Sequence, residues 1–135
     1  MRLTLAQQIL ETGTIIQTEI SVSQILFVRR KLRSIIYNLV SNAIKYRAAD
    51  RKPIVLISTK IDHDFLVIAV KDNGTGIAQE NLEKVFIKYE RIASEVDVTG
   101  VGLYLVAEIV RLAGGKITVE SEIGVGSTFY VHLKH

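Results

Sequence analysis

The chain has 135 residues, 48% of them hydrophobic, enough for one domain with a core of its own. It holds no cysteine, which excludes disulfide frameworks, thiolate metal sites and cysteine nucleophiles, and its three histidines, His63, His132 and His135, form no metal-spaced cluster. A net charge of +3 suits a phosphorylated small molecule as well as a nucleic acid, and no apolar run approaches the ~20 residues of a membrane span.

Residues 3–12 carry Leu3, Leu5, Ala6, Ile9 and Leu10 as the apolar stripe of a short helix. "TIIQTEIS" (14–21) and "QILFV" (24–28) are β-rich and predict strands. The basic run "RRKLR" (29–33) opens the clearest helix, 29–47, as its solvated beginning. In that helix Leu32, Ile35, Ile36, Leu39, Val40 and Ala43 recur at three- and four-residue spacing. Asp50 and Pro53 mark a loop, and "IVLISTKI" (54–61) and "FLVIAVKD" (65–72) are strands joined by "DHD". "NGTGI" ends the second strand, residues 79–88 predict a helix, and a polar stretch runs on to Gly100. Residues 102–113 form an apolar helix closed by Gly114 and Gly115, followed by strands at 116–122 and 126–134 around the turn "IGVG". Strands this close in sequence favour hairpins, hence an α+β two-layer sandwich: a mixed, mainly antiparallel sheet with helices on one face.

Three stretches carry chemistry. In "NLVSNAIKY" (38–46), Asn38, Asn42 and Lys45 fall within about 60° of one another on the helix, beside the apolar face. Amide oxygens are hard ligands suited to Mg²⁺, and a lysine beside them offers a point charge for phosphate; solvated polar residues on an outer face explain the same pattern. In "DNGTGI" (72–77) a carboxylate ends a strand and two glycines follow, allowing a sharp turn and close backbone approach, and a plain Asn-Gly turn is the simpler account. In "TGVGLYLV" (99–106) Gly100 and Gly102 open a helix whose free N–H groups can bind an anion.

Together these stretches resemble the catalytic and ATP-binding domain of bacterial sensor histidine kinases, in the superfamily of gyrase, a heat-shock chaperone and mismatch-repair ATPases. "NLVSNAIKY" is similar to the N box, "DNGTGI" to the first glycine box, "VFIKYER" to the phenylalanine box, "TGVGLYLV" to the second glycine box and "GGKITVESEIGVGSTF" to the C-terminal block. The likeness covers about residues 25–135, with 1–24 as a lead-in, and implies one domain of about five strands packed against three helices. It implies that Asn42 ligates Mg²⁺ on the ATP phosphates, with Asn38 helping to hold the metal or its waters. Lys45 then contacts phosphate, and Tyr46 packs beside adenine or ribose. Asp72 accepts from the adenine amino group with Thr128 in support, while Gly74, Gly76 and Ile77 wall the base. Arg91 points to the phosphates, and Gly100, Val101, Gly102 and Leu103 form the cradle at the helix start. Phe86 and Tyr89 belong to the segment that orders a lid, although core packing suits Phe86 equally. Asn38 stands where hydrolysing relatives usually carry a glutamate base, which favours phosphoryl transfer to a histidine over hydrolysis.

The sequence departs from that family in three places. It has no phosphoacceptor histidine segment, so the chain is either an excised domain or one that acts on a histidine of a separate protein, and the favoured expectation is an excised, monomeric, cytoplasmic domain. Such a domain acts on a dimerisation domain's histidine and serves a response regulator, without nucleic-acid or membrane contact and with little activity alone. Val98 replaces the first glycine of the second glycine box, which predicts weaker nucleotide binding or a less ordered lid. The lid from Tyr89 to Gly100 is short. The rival readings are a nucleotide-binding regulatory module and an anti-sigma-type serine kinase.

Overall fold

A computed structural model describes residues 4–20, 29–84, 86 and 99–134. The first helix, α1 (Leu5–Thr12), starts at a capping box in which Thr4 and Gln7 satisfy each other's backbone N–H, and ends at Gly13 in the left-handed conformation. Strand β1 (Ile15–Ile20) follows, then α2 (Arg29–Lys45), the hairpin β2 (Ile54–Asp62) and β3 (Phe65–Asp72), α3 (Thr99–Leu112), and the hairpin β4 (Lys116–Glu122) and β5 (Gly126–Lys134). At the end of α3, Gly115 N–H donates to the carbonyl of Val110 and Gly114 N–H to that of Arg111, with Gly114 left-handed. This double bond arrangement stops the helix where the sequence places its glycine pair.

Among the described residues the sheet has five strands in the order β1-β2-β3-β5-β4. Only β1 and β2 pair in parallel, with α2 in the connection between them, and the other three pairings are antiparallel. The expected two-layer sandwich is the observed one. Ile35, Leu39, Val40, Ala43 and Ile44 of α2 and Leu103, Val106 and Val110 of α3 close on Val55, Leu66, Ile68, Val70, Phe129, Val131 and Leu133 of the sheet. Alternation in β3 and β5 sends these residues to the helices and leaves Phe65, Val67, Ala69, Lys71, Thr128, Tyr130 and His132 on the opposite face, which no described helix covers.

One expectation needs amendment. Of the helix expected over 79–88, the described part is a 3-10 stretch, Gln79–Lys84, whose Asn81 N–H donates to the Ala78 carbonyl three residues back. The strand expected at 24–28 lies outside the described residues. Arg30, Lys31 and Arg33 are exposed, as a solvated helix start requires.

Candidate functional site

Asp72 is the last residue of β3, a central strand, and on the alternation of that strand it points to the helix side. It is buried, and its Oδ1 accepts from the backbone N–H of Gly74 at 2.9 Å and of Ser127 at 3.2 Å. Both bonds end on the same oxygen, which leaves Oδ2 for another donor. Burial pushes the carboxyl above its ordinary pKa, while the two N–H groups pull it back.

The loop after Asp72 is packed against the protein's own backbone. A side chain at Gly74 would strike the Tyr46 carbonyl, and one at Gly76, which has φ +80°, would strike the Glu122 carbonyl. The two glycines therefore answer a packing demand within the protein, whatever they offer a ligand. Thr75 N–H donates to the Tyr46 carbonyl at 2.9 Å, and Ile77 N–H donates to Ser121 Oγ at 2.7 Å. The first of these bonds ties the Asp72 loop to the end of α2.

On α2 the three polar residues grade from buried to exposed. Asn42 is only 3% exposed, Asn38 is half-buried and Lys45 is exposed. The strip is therefore not an outer face, because Asn42 lies close enough to Ile35 on the helix circumference to go under with it. Asn38 gives its amide N–H to the carbonyl of Ser34, one turn back, at 2.8 Å. Asn42 Oδ1 has no hydrogen-bond partner among the described residues. A buried amide oxygen left without a donor is costly, and a hard cation is a group that could complete it. No three His, Cys, Asp or Glu side chains cluster among the described residues. Lys45 Nζ lies 6.0 Å from the centroid of the Tyr46 ring, which is itself exposed.

Asn42 and Lys45 lie on the last turn of α2, and the carbonyl of Tyr46, the residue after it, is bonded to the loop bearing Asp72, Gly74, Gly76 and Ile77. The structure corrects two assignments. Thr128 faces the uncovered side of the sheet, and its neighbour Ser127 is the residue paired with Asp72. A one-residue step along a strand reverses the side chain, so adjacent hydroxyl residues cannot be exchanged. Leu103 is buried in the core, where it supports the start of α3 by packing. Gly100, Val101 and Gly102 occupy the first turn of α3. Phe86 stacks edge-to-face on Phe129 at 6.0 Å, which is the core role. Arg91, Tyr89, Val98 and the short lid lie outside the described residues.

Two partners of the site were not read from the sequence. Ser127 Oγ and Ser121 Oγ are 2.7 Å apart, and Ser121 Oγ also lies 3.0 Å from the Gly126 carbonyl, so a short hydroxyl network joins the Asp72 pairing to Ile77. The register Asp72–Ser127–Ser121 across three strands would have exposed it, had the pairing been known. A groove of about 550 Å³ shares Asp72, Asn73, Ser121, Gly126 and Ser127 with this network, but much of its lining, including Leu56, Lys71, Glu120 and Thr128, lies on the opposite face of the sheet, and it takes nothing from α2.

A mixed sheet in this order, with helices on one face and a helix end bonded to the loop after a central strand, defines the class to which the sensor-kinase catalytic fold belongs. The family described as histidine kinase-, DNA gyrase B- and HSP90-like ATPase matches residues 27–135. The chain belongs to that family. It is 36% identical to the sensor protein RprX of Bacteroides fragilis over 76% of its own length and 20% of that protein's. It is 35% identical to the phytochrome-like protein Cph1 of Synechocystis, over 96% of the chain and 17% of that protein. Among solved structures, full-length ShkA in complex with AMPPNP superposes with a TM-score of 0.79 at 26% identity, over 96% of this chain and 27% of that one. The chain thus spans about a fifth or less of the curated relatives it matches. No described helix is long and apolar enough to cross a membrane.

Proposed function

We propose that residues 1–135 form the ATP-binding catalytic domain of a sensor histidine kinase, cytoplasmic and monomeric on its own. It passes the γ-phosphoryl of ATP to a histidine on a separate dimerisation domain, from which a response regulator is served. The observation that carries this reading is a pair of incomplete groups held together. Both donors to buried Asp72 end on Oδ1, Asn42 Oδ1 has no partner among the described residues, and the Thr75–Tyr46 bond links the Asp72 loop to the end of α2.

In this reading Asp72 Oδ2 accepts from the adenine amino group, and Gly74, Gly76 and Ile77 wall the base. Asn42 holds the metal with Asn38 in support, Lys45 and Arg91 neutralise phosphate, and the first turn of α3 offers its unpaired N–H groups. Bound magnesium would offset the charge of the phosphate oxygens. The imidazole nitrogen of the acceptor attacks the γ-phosphorus as the bond to the bridging oxygen breaks and ADP leaves with the electron pair. Asn38 cannot accept a proton from water, which disfavours hydrolysis.

The test is ATP titration with and without Mg²⁺ for the parent, Asn42→Asp and Asp72→Asn, followed by labelling of a supplied phosphoacceptor domain. Parent-like binding by both variants would overturn the site. A parent that binds ATP and never labels the acceptor is a regulatory nucleotide-binding module instead.

A further inference from the structure

Arg51 stands in the loop between α2 and β2, in none of the stretches that resemble the family boxes. Its guanidinium spans three chain segments. Nε donates to the carbonyl of Asn73 at 2.7 Å, and one terminal nitrogen donates to the carbonyls of Gly74 and Gly124, each at 2.8 Å. Asn73 and Gly74 belong to the loop that follows Asp72, and Gly124 to the turn between β4 and β5. The Asp50 carboxylate is a looser neighbour at 3.7 Å, on the exposed side.

The contacts around Arg51 show what it holds. Asn73 is pinned by its side chain as well, accepting from Ile54 N–H at 2.9 Å and donating to the Lys52 carbonyl at 3.0 Å. Gly124 N–H donates to the Thr75 carbonyl at 2.9 Å, so the β4–β5 turn and the Asp72 loop are bonded directly as well as through Arg51. All three acceptors of the guanidinium are backbone carbonyls, and a planar fork of donors can reach them together where a single ammonium cannot.

We propose that Arg51 is the positioning residue of the nucleotide site: it fixes the Asn73–Gly74 backbone and thereby the direction in which Asp72 Oδ2 meets the base. It touches no ligand itself. This inference rests on the ATP-binding reading above and extends it to base selectivity. A carboxylate held at one angle accepts from the amino group of adenine and opposes the carbonyl that guanine carries at the same place. A carboxylate on a loosened loop discriminates less.

The experiment compares the parent with Arg51→Ala and Arg51→Lys, and uses Arg111→Ala as a control on an exposed arginine at the far end of α3. ATP and GTP affinities are measured by titration, and amide exchange is followed at Thr75, Gly124 and the amides of β3 and β5. Arg51→Lys is expected to weaken ATP binding about tenfold, to narrow the preference for ATP over GTP by a similar factor, and to raise exchange at Thr75 and Gly124 alone. Retention of both the affinity and the ATP preference in Arg51→Lys and Arg51→Ala overturns the inference. So does a loss of affinity in which the β3 and β5 amides lose protection in step with the loop, since that is a general structural effect. If Arg51→Ala does not fold, Arg51→Lys decides alone. A parent that binds no ATP removes the underlying reading, an outcome distinct from a parent that binds while its variants bind equally well.

Discussion

The loop after β3 and the end of α2 are joined by the Thr75–Tyr46 bond, yet they are finished to different degrees. In the loop, the backbone groups of Asn73, Gly74, Thr75 and Ile77 are engaged by Arg51, Asp72, Tyr46, Gly124 and Ser121. On α2, a buried amide oxygen has no donor among the described residues. In the proposed function the base-reading side is built before ligand arrives, and the metal side is completed by it. Folding free energy supports the first, whereas binding free energy must supply the second.

The sharpest way to break that contrast is to disturb the finished side. Gly76→Ala adds a Cβ against the Glu122 carbonyl at a φ of +80°, and Gly74→Ala adds one against the Tyr46 carbonyl. Gly76→Ala is expected to cost about 3 kcal/mol of stability in a urea titration, and to abolish ATP binding. A transition midpoint equal to the parent's would show the loop to be slack.

Next in size is Asp72→Asn. The amide keeps the acceptor for Gly74 and Ser127 but presents the ligand with a weaker or wrongly directed partner. ATP affinity should fall roughly 10- to 100-fold by calorimetry. Undiminished affinity would mean the base is read elsewhere.

Asn42→Leu tests the unfinished side, where the two properties should move in opposite directions. Replacing an amide whose oxygen has no partner among the described residues with an apolar group of similar size should raise the stability of the free domain by about 1 kcal/mol. The Mg²⁺-dependent part of ATP affinity should disappear in the same variant. A less stable variant would indicate that the Asn42 oxygen already has a stabilising partner.

The smallest effect is pH-dependent. Burial raises the folded-state pKa of Asp72 above its unfolded value, so the folded state holds its proton more tightly. The native state then binds more protons than the unfolded one in the interval between the two values, and stability falls as pH rises through it. Asp72→Asn should therefore be more stable than the parent at neutral pH, with the advantage shrinking as acid protonates the carboxyl in both states. Thermal melts of both proteins across the acidic range check the sign. An advantage that grows toward low pH would reverse it.

The same contrast marks how far the sequence could be read. Strand alternation and the α2 stripe placed the sheet and its core, since both are local periodicities that burial enforces. The Asp72 turn was legible because a strand-ending carboxylate before two glycines is a local pattern. What the glycines pack against was not, because Tyr46 and Glu122 are distant in sequence and meet the loop only through the fold. Ser127 was missed in favour of Thr128 because parity along β5 depends on a register that neighbouring residues do not reveal. Asn42 showed its direction on a helical wheel but not its depth. Arg51 was invisible for a simpler reason: its partners are carbonyls, which every residue possesses.

That last point has a counterpart in Asp72 itself. Its two donors are backbone N–H groups, at Gly74 and Ser127. Replacing the Ser127 side chain by alanine leaves its donor in place, and only proline among the coded residues would delete it. The support of the central carboxylate is thus inherited through the path of the chain more than through the identity of its neighbours. Lineages can rewrite the letters around Asp72 and still pass on the same acceptor geometry.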